Sequence, residues 1–307
     1  MSETRAGFVA LIGEPNAGKS TLLNAMVGAK VAIVTHKVQT TRARIRGVAM
    51  AEIEGAKSQI VFVDTPGLFR PRRRLDRAMV AAAWTGASDA DVTCLLVEAH
   101  RGVTEGVEAI LAALDDRVAG PVALVINKID RVKAEALLAL TKDLNERREF
   151  AATFMISAQR SHGVEDLRAW LAEQMPAGPL LYPEDEISDL PLRMIAAEIT
   201  REKLTLRLHQ ELPYQLTVET ENWTDQKDGS ARIEQVIYVA RDGHKGIVLG
   251  KRGETIKAVG ADARVEIAEL IGRKAHLFLE VKARPGWLEE RERFDAMGLD
   301  FSDGAET

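Results

Sequence analysis

The sequence predicts an α/β domain with a mostly parallel sheet, followed by a smaller α+β domain. Three observations carry that prediction. The chain has 307 residues, enough for two domains that each bury a core. From Gly7 to about Met175, short β-branched runs alternate with segments of helical apolar spacing. Beyond a proline- and acid-rich stretch the order changes to helix, strand, strand, helix, helix, strand.

In the first half the strand candidates are "FVALIG", "QIVFVDTPG", "VTCLLVEA", "VALVINKID" and "TFMISAQ". They are apolar throughout, as strands covered by helices on both faces require. Each ends in a polar or Gly-, Asp- or Asn-containing turn, so functional loops belong at the carboxyl ends of the strands. "PAGPLLYPEDEISDLP", Pro176 to Pro191, disfavours helix and reads as a linker, residues 177–191, dividing 1–176 from 192–307. The helical "RMIAAEITREKLTLRL" follows, then the strands "YQLTVETENW" and "ARIEQVIYVAR" about the turn "TDQKDGS". "GIVLGKRGETIKAVG", the helical "ADARVEIAELIG" and the strand "AHLFLEVKA" complete the order. Trp287 and "WLEERERF" are expected as a terminal helix on the second sheet, and the tail "FSDGAET" as frayed.

Composition narrows the function. With 46% apolar and 28% charged residues the chain reads as soluble and globular. No apolar run approaches the roughly 20 residues that span a bilayer, and "MSETRAG" lacks the features of a signal peptide, so a cytoplasmic location is expected. The one cysteine, Cys94, excludes an intrachain disulfide and is expected as a buried apolar residue. A net charge of -5 gives no global sign of nucleic-acid binding, so any basic site is local.

"GEPNAGKST" (Gly13, Glu14, Pro15, Asn16, Ala17, Gly18, Lys19, Ser20, Thr21) lies between a strand and a helix and matches G-x-x-x-x-G-K-[ST]. Its glycines permit a loop whose N–H groups face phosphate oxygens, with the helix adding its positive end. Lys19 can reach the β- and γ-phosphates, and Ser20 can ligate Mg²⁺. Such a loop alone also suits an ATPase or a small-molecule kinase. "NKID" (Asn127, Lys128, Asp130) selects the base. A carboxylate at Asp130 accepts from guanine N1–H and the 2-amino group together, a pair of donors that adenine lacks. Lys128 would lie along the base, and Asn127 would tie loops together. "DTPG" places Asp64 for Mg²⁺ and the Gly67 N–H for a γ-phosphate. "SAQ" offers Ser157 and the Ala158 N–H near guanine O6. Together the four motifs describe a GTPase.

Between the first and third of these, "THKVQTTRARIRG" carries Lys37, Arg42, Arg44 and Arg46 and no acid. Thr41 is favoured over Thr40 to close over Mg²⁺. "LFRPRRRLDR" is also basic, and the two segments are candidates to contact RNA or another acidic surface; solvated loop charge is the alternative. In the second half two G-x-x-G matches occur, "GHKG" (243–246) and "GKRG" (250–253). The second is the better candidate, since it is flanked by "IVL" and "ETI" and lies between helices. Gly250 and Gly253 would let RNA approach the backbone while Lys251, Arg252 and Lys257 lie along phosphates. From Arg241 to Lys257 there are five basic and two acidic residues, a local surplus of +3.

On "GEPNAGKST", "QTTR", "DTPGL", "NKID" and "SAQ", and on "PEDEISD", "REKL" and "ELPY" at the junction, the chain resembles the Era family of bacterial ribosome-assembly GTPases over nearly its whole length. The resemblance implies a P-loop GTPase domain joined to a type II KH domain. It further implies a monomeric GTP-hydrolysing switch that binds the 3′ end of 16S rRNA and assists maturation of the 30S subunit. The implied cofactors are Mg²⁺ and a K⁺ ion at Asn16, and peripheral association with the inner membrane is implied as well, although the sequence shows no anchor. Leu68 follows "DTPG" where Ras-like enzymes use Gln to orient water. The resemblance makes that replacement normal and implies slow intrinsic turnover, with no catalytic base identified. The rival readings are a metabolic P-loop enzyme with an accessory domain, and a protein that holds GTP without turning it over.

Overall fold

The computed structural model describes residues 4–35, 37, 45–53, 55–209, 212–287 and 290–302. The described residues form two compact units. One draws on Met1–Ala32, Thr41–Asp189 and Phe294–Thr307, the other on Ile33–Thr40 and Leu190–Arg293.

The first unit is built on a six-stranded sheet. Strands β1 (Thr4–Gly13), β3 (Ala56–Asp64), β4 (Val92–Glu98), β5 (Val122–Asn127) and β6 (Ala152–Met155) are parallel, and β2 (Ile45–Ile53) pairs antiparallel with β3. The spatial order is β2-β3-β1-β4-β5-β6. Every residue of β4 and β5 is buried, as a strand covered on both faces requires. Helices α1 (Lys19–Val27), α2 (Arg74–Ser88), α3 (Glu105–Arg117), α4 (Ala134–Arg147) and α5 (Val164–Gln174) follow the strands. Their starts are chemically distinct. Thr104 caps α3 by accepting from Val107 N at 3.1 Å, and Asp76 turns back to accept from the Arg72 and Arg73 amides at 3.1 and 3.0 Å. Cys94 is buried in β4, and that burial pushes its thiol up to about 12, so it stays protonated and inert.

Strand β2 is absent from the pattern of apolar runs. It is an edge strand with only part of its length buried, so it carries no continuous apolar signal. The stretch expected as a linker is fastened to this edge and clusters with the first unit. Gln59, fully buried on β3, donates to Tyr182 O at 2.8 Å and accepts from the amides of Leu181 and Tyr182 at 2.8 and 3.0 Å. Val48 N donates to Ile187 O at 3.0 Å, and Lys57 and Arg46 pair with Glu184 and Asp189 at 2.7 and 3.3 Å. The strap satisfies backbone groups that an open edge would leave exposed.

The second unit has a three-stranded sheet, β7 (Leu216–Asp225), β8 (Ala231–Val239) and β9 (Ala275–Ala283), with α6 (Leu192–Arg207), α7 (Asp242–Leu249) and α8 (Glu254–Ile271). β7 and β8 are antiparallel, β8 and β9 parallel through the α7–α8 crossover. Leu204, Leu216, Ile237 and Val259 form its core. Trp287 is fully buried, with Nε1 donating to Gln215 O at 3.4 Å. Val34 N donates to Glu202 Oε1 of α6 at 2.8 Å, and Lys37 Nζ donates to Leu208 O, so the chain that leaves α1 enters this unit.

The terminal segment departs from expectation. Helix α9 covers only Arg291–Ala296, and from Phe294 onward the chain clusters with the first unit. The Arg74 guanidinium lies 3.6 Å over the Phe301 ring and donates to Phe301 O at 3.0 Å, while Phe301 meets Phe294 edge-on at 5.1 Å. The start of the expected frayed tail is therefore held by a cation–π contact; residues 303–307 lie outside the described residues.

Candidate functional site

The phosphate loop closes because three of its residues adopt positive φ: Gly13 at 148°, Asn16 at 69° and Gly18 at 98°. Space makes the same demand. A Cβ at Gly18 would lie 2.2 Å from Asn127 Nδ2, and one at Gly13 would lie 2.5 Å from Leu96 O. Helix α1 begins at Lys19, with Gly18 as its cap residue and no side-chain cap, unlike α3; the positive end of its dipole faces the phosphate loop. Lys19 Nζ donates to Gly13 O at 3.1 Å and Glu14 O at 3.0 Å. Burial lowers its pKa to about 8, against the opposing attraction of Asp64 and Glu14. Pro15 and Ala17 complete the turn, Thr21 lies in the first turn of α1, and Thr104 Oγ1 holds the Glu14 carboxylate at 2.8 Å.

Ser20 Oγ donates to Asp64 Oδ2 at 2.8 Å, and Asp64 is fully buried at the end of β3. Two hard oxygen donors at the foot of a phosphate loop suit Mg²⁺. Thr41 lies outside the described residues. Gly67 passes against the phosphate loop, where a Cβ would lie 2.8 Å from Pro15 Cα and N. Leu68 is buried in the core cluster with Ile12 and Val97, and its N–H donates to Gly13 O at 2.9 Å. An apolar side chain so placed has no means of orienting water.

At the base end, one side chain joins three motifs. Asn127 Nδ2 donates to Ala17 O at 2.9 Å, and its Oδ1 accepts from Lys128 N at 2.8 Å and Ala158 N at 3.0 Å. The Ala158 N–H, expected at guanine O6, thus already has a partner here. Lys128, at φ 63°, reaches back so that Nζ donates to Asn16 O at 2.7 Å. Asp130 accepts from Ser157 Oγ at 2.7 Å, and this bond, reinforced by Arg160 and Arg131, holds its carboxyl below the usual range. An ionised acceptor at this point is what a guanine edge needs. Sequence reasoning passed over Glu98, His100 and Arg160, which lie beside these residues; the position of Glu98 at the end of β4 was the available signal.

In the second unit "GHKG" lies inside α7, whereas "GKRG" forms the break between α7 and α8. Gly250 has φ 73° and Gly253 φ 78°, with Arg252 also left-handed at 53°. Their surroundings differ. A Cβ at Gly250 would lie 2.2 Å from Thr255 Oγ1 and 2.9 Å from Thr255 N, whereas one at Gly253 would meet nothing closer than 4.0 Å. Gly250 serves the turn, and Gly253 leaves backbone open to a ligand. Lys251, Arg252 and Lys257 are exposed around it.

The two basic segments that flank "DTPG" are partly committed. Arg46 pairs with Asp189, Arg74 with Phe301, and Lys37 with Leu208 O. Arg70, Arg72 and Arg73 remain exposed, and Arg42 and Arg44 lie outside the described residues.

Known proteins share this arrangement. Residues 8–128 match the family described as 50S ribosome-binding GTPase, and residues 211–288 match the KH domain. The GTPase Era of Dinoroseobacter shibae is 74% identical over 303 residues, covering 98% of this chain and 97% of that protein. That of Mesorhizobium japonicum is 59% identical, covering 97% and 94%. The crystal structure of Aquifex aeolicus Era bound to GDP.AlF4- superposes with a TM-score of 0.89 at 36% identity, covering 96% of this chain and 99% of that one. The crystal structure of Era in complex with MgGDPNP and nucleotides 1506–1542 of 16S ribosomal RNA does so with a TM-score of 0.89 at 35% identity, with the same coverage. With the phosphate loop, the base end and the KH turn each in place, and with relatives alike across both units, the chain belongs to the Era family of GTPases.

Proposed function

We propose that this chain is a GTP-hydrolysing switch of the cytoplasm that binds the 3′ end of 16S rRNA and assists assembly of the small ribosomal subunit. The observation that carries the reading is the convergence on Asn127, which ties the phosphate loop, "NKID" and "SAQ" into one pocket at the carboxyl ends of the strands. Relatives bound to GDP.AlF4-, and to MgGDPNP with 16S rRNA, support it.

In this reading the α1 amides and Lys19 hold the phosphates, Asp130 reads the guanine edge, and Lys128 lies along the base. Ser20 and Asp64 hold Mg²⁺, with Thr41 joining them in the GTP state. When bound, the ion neutralises charge developing on the β- and γ-oxygens. Asn16, held left-handed beside the phosphates, is the candidate K⁺ ligand. The buried Leu68 leaves water positioning to other groups, so intrinsic turnover is slow. Gly253, Lys251, Arg252 and Lys257 receive the RNA backbone. Among the described residues no helix is long and apolar enough to cross a membrane. The proposed association with the inner membrane is a peripheral one.

The test is binding of a labelled rRNA 3′-end oligonucleotide to the protein loaded with GDP or a non-hydrolysable GTP analogue, together with phosphate release with and without RNA and K⁺. Tighter binding with the analogue, lost in Gly253→Asp, is expected. Asp tolerates the left-handed backbone, so this variant should fold. Equal binding in both states would remove nucleotide control of this RNA.

A further inference from the structure

Glu98 ends β4 and is nine-tenths buried. Its Oε1 lies 3.2 Å from Lys128 Nζ and 2.9 Å from His100 Nε2. On its other side the Lys128 ammonium donates to Asn16 O at 2.7 Å. The register explains how three loops meet here: Glu98 pairs across the sheet with Asn127, so the carboxylate stands beside the residue that precedes Lys128. The ammonium is thereby fixed between a carboxylate from one strand end and a carbonyl from the phosphate loop. Both Lys128 and Asn16 are left-handed, at φ 63° and 69°; asparagine adopts that region readily, but a lysine keeps it only when its surroundings impose it.

We propose that Glu98 is a positioning residue for guanine-nucleotide binding. It anchors the Lys128 ammonium on the Asn16 carbonyl, which keeps the lysine stem extended where the base docks and holds Asn16 in its turn before nucleotide arrives. A lysine tethered at its tip has little rotamer freedom left to lose on binding, and that saving appears as affinity. The ion pair is only partly exposed, so solvent does not fully screen it. Glu98 acts through Lys128 and touches no reacting atom. The inference rests on the reading that Lys128 lies along the base.

The experiment measures release of fluorescent GDP from the full chain for the wild type, Glu98→Gln, Glu98→Asp, Lys128→Met and the double variant Glu98→Gln/Lys128→Met, with thermal melting of each nucleotide-free protein. Glu98→Gln keeps the shape and removes the charge; it should release GDP about five- to twentyfold faster with its melting temperature nearly unchanged. Glu98→Asp, which keeps the charge but draws it back, should fall between it and the wild type. Lys128→Met should release faster still, and the double variant should be no faster than Lys128→Met, because the carboxylate then has nothing to position. Release from Glu98→Gln within twofold of the wild type would overturn the proposal, as would an undiminished effect of Glu98→Gln in the Lys128→Met background. Unchanged release from Lys128→Met alone would overturn the reading of the base site as well.

Discussion

Lys19 is a cation buried among carbonyls, and its lowered pKa makes two predictions of definite sign. Its folded pKa of about 8 lies below the unfolded value of 10.5, so between these limits the unfolded chain holds a proton that the folded chain has released. Stability of the nucleotide-free protein should therefore rise with pH across that window as far as this group contributes. Phosphate beside Lys19 restores the charge, so GDP binding should take up a proton there. Affinity for GDP should accordingly be flat below about pH 8 and fall above it, which calorimetry in buffers of different ionisation enthalpy will read. The two glycines of "GKRG" separate in the same way, by local physics. Gly250→Ala meets both a backbone amide and a positive φ, and should destabilise the second unit by about 1–3 kcal/mol in a melting experiment. Gly253→Asp should melt close to the wild type and lose RNA instead.

Strand β3 does more than fill the sheet. Gln59 is a polar residue at a fully buried position, and besides a contact with Met50 Sδ its side chain makes three hydrogen bonds to Leu181 and Tyr182 of the strap. Gln59→Ala leaves those amides and that carbonyl without their partner, at about 1–3 kcal/mol. Limited proteolysis should then cut within residues 177–189 at a dilution of protease that leaves the wild type intact. Helix α2 shows a comparable dependence at its first turn, where Arg74 is held by Phe301 and Asp76 orders the preceding amides. That helix is the next element after "DTPG", and its first turn is fastened at Arg74 to Phe301.

A nucleotide changes RNA affinity only through an element that responds to both. The segment that leaves α1 is the candidate: the chain that follows the helix of the phosphate loop is bonded, at Val34 and Lys37, to Glu202 Oε1 and Leu208 O within the second unit. Glu202 is buried and is shared with Lys203, which also pairs with Glu266. Glu202→Gln should loosen that segment. The preference of the rRNA oligonucleotide for protein loaded with GTP analogue over GDP should then shrink to within about twofold, read by fluorescence anisotropy, while GDP affinity itself stays the same.

The sequence by itself determined the parallel sheet, the helix and strand order of the KH domain, and the strand-end positions of "GEPNAGKST", "DTPG", "NKID" and "SAQ". All of these are local: continuous apolar runs mark covered strands, and turn chemistry marks where they stop. It also distinguished "GKRG" from "GHKG", since only the first interrupts a helical pattern. Tertiary structure alone decided the rest. β2 is half covered, so its pattern is diluted, and it exists because β3 offers it an edge. The strap reads as a linker until Gln59, more than a hundred residues earlier, supplies its partners. Phe301 is an exposed-tail residue in sequence and an arginine's partner in space, and Glu98 joins the base site only through the β4–β5 register. Each depends on which distant residues the fold brings together, and that pairing leaves no periodicity in the chain to read.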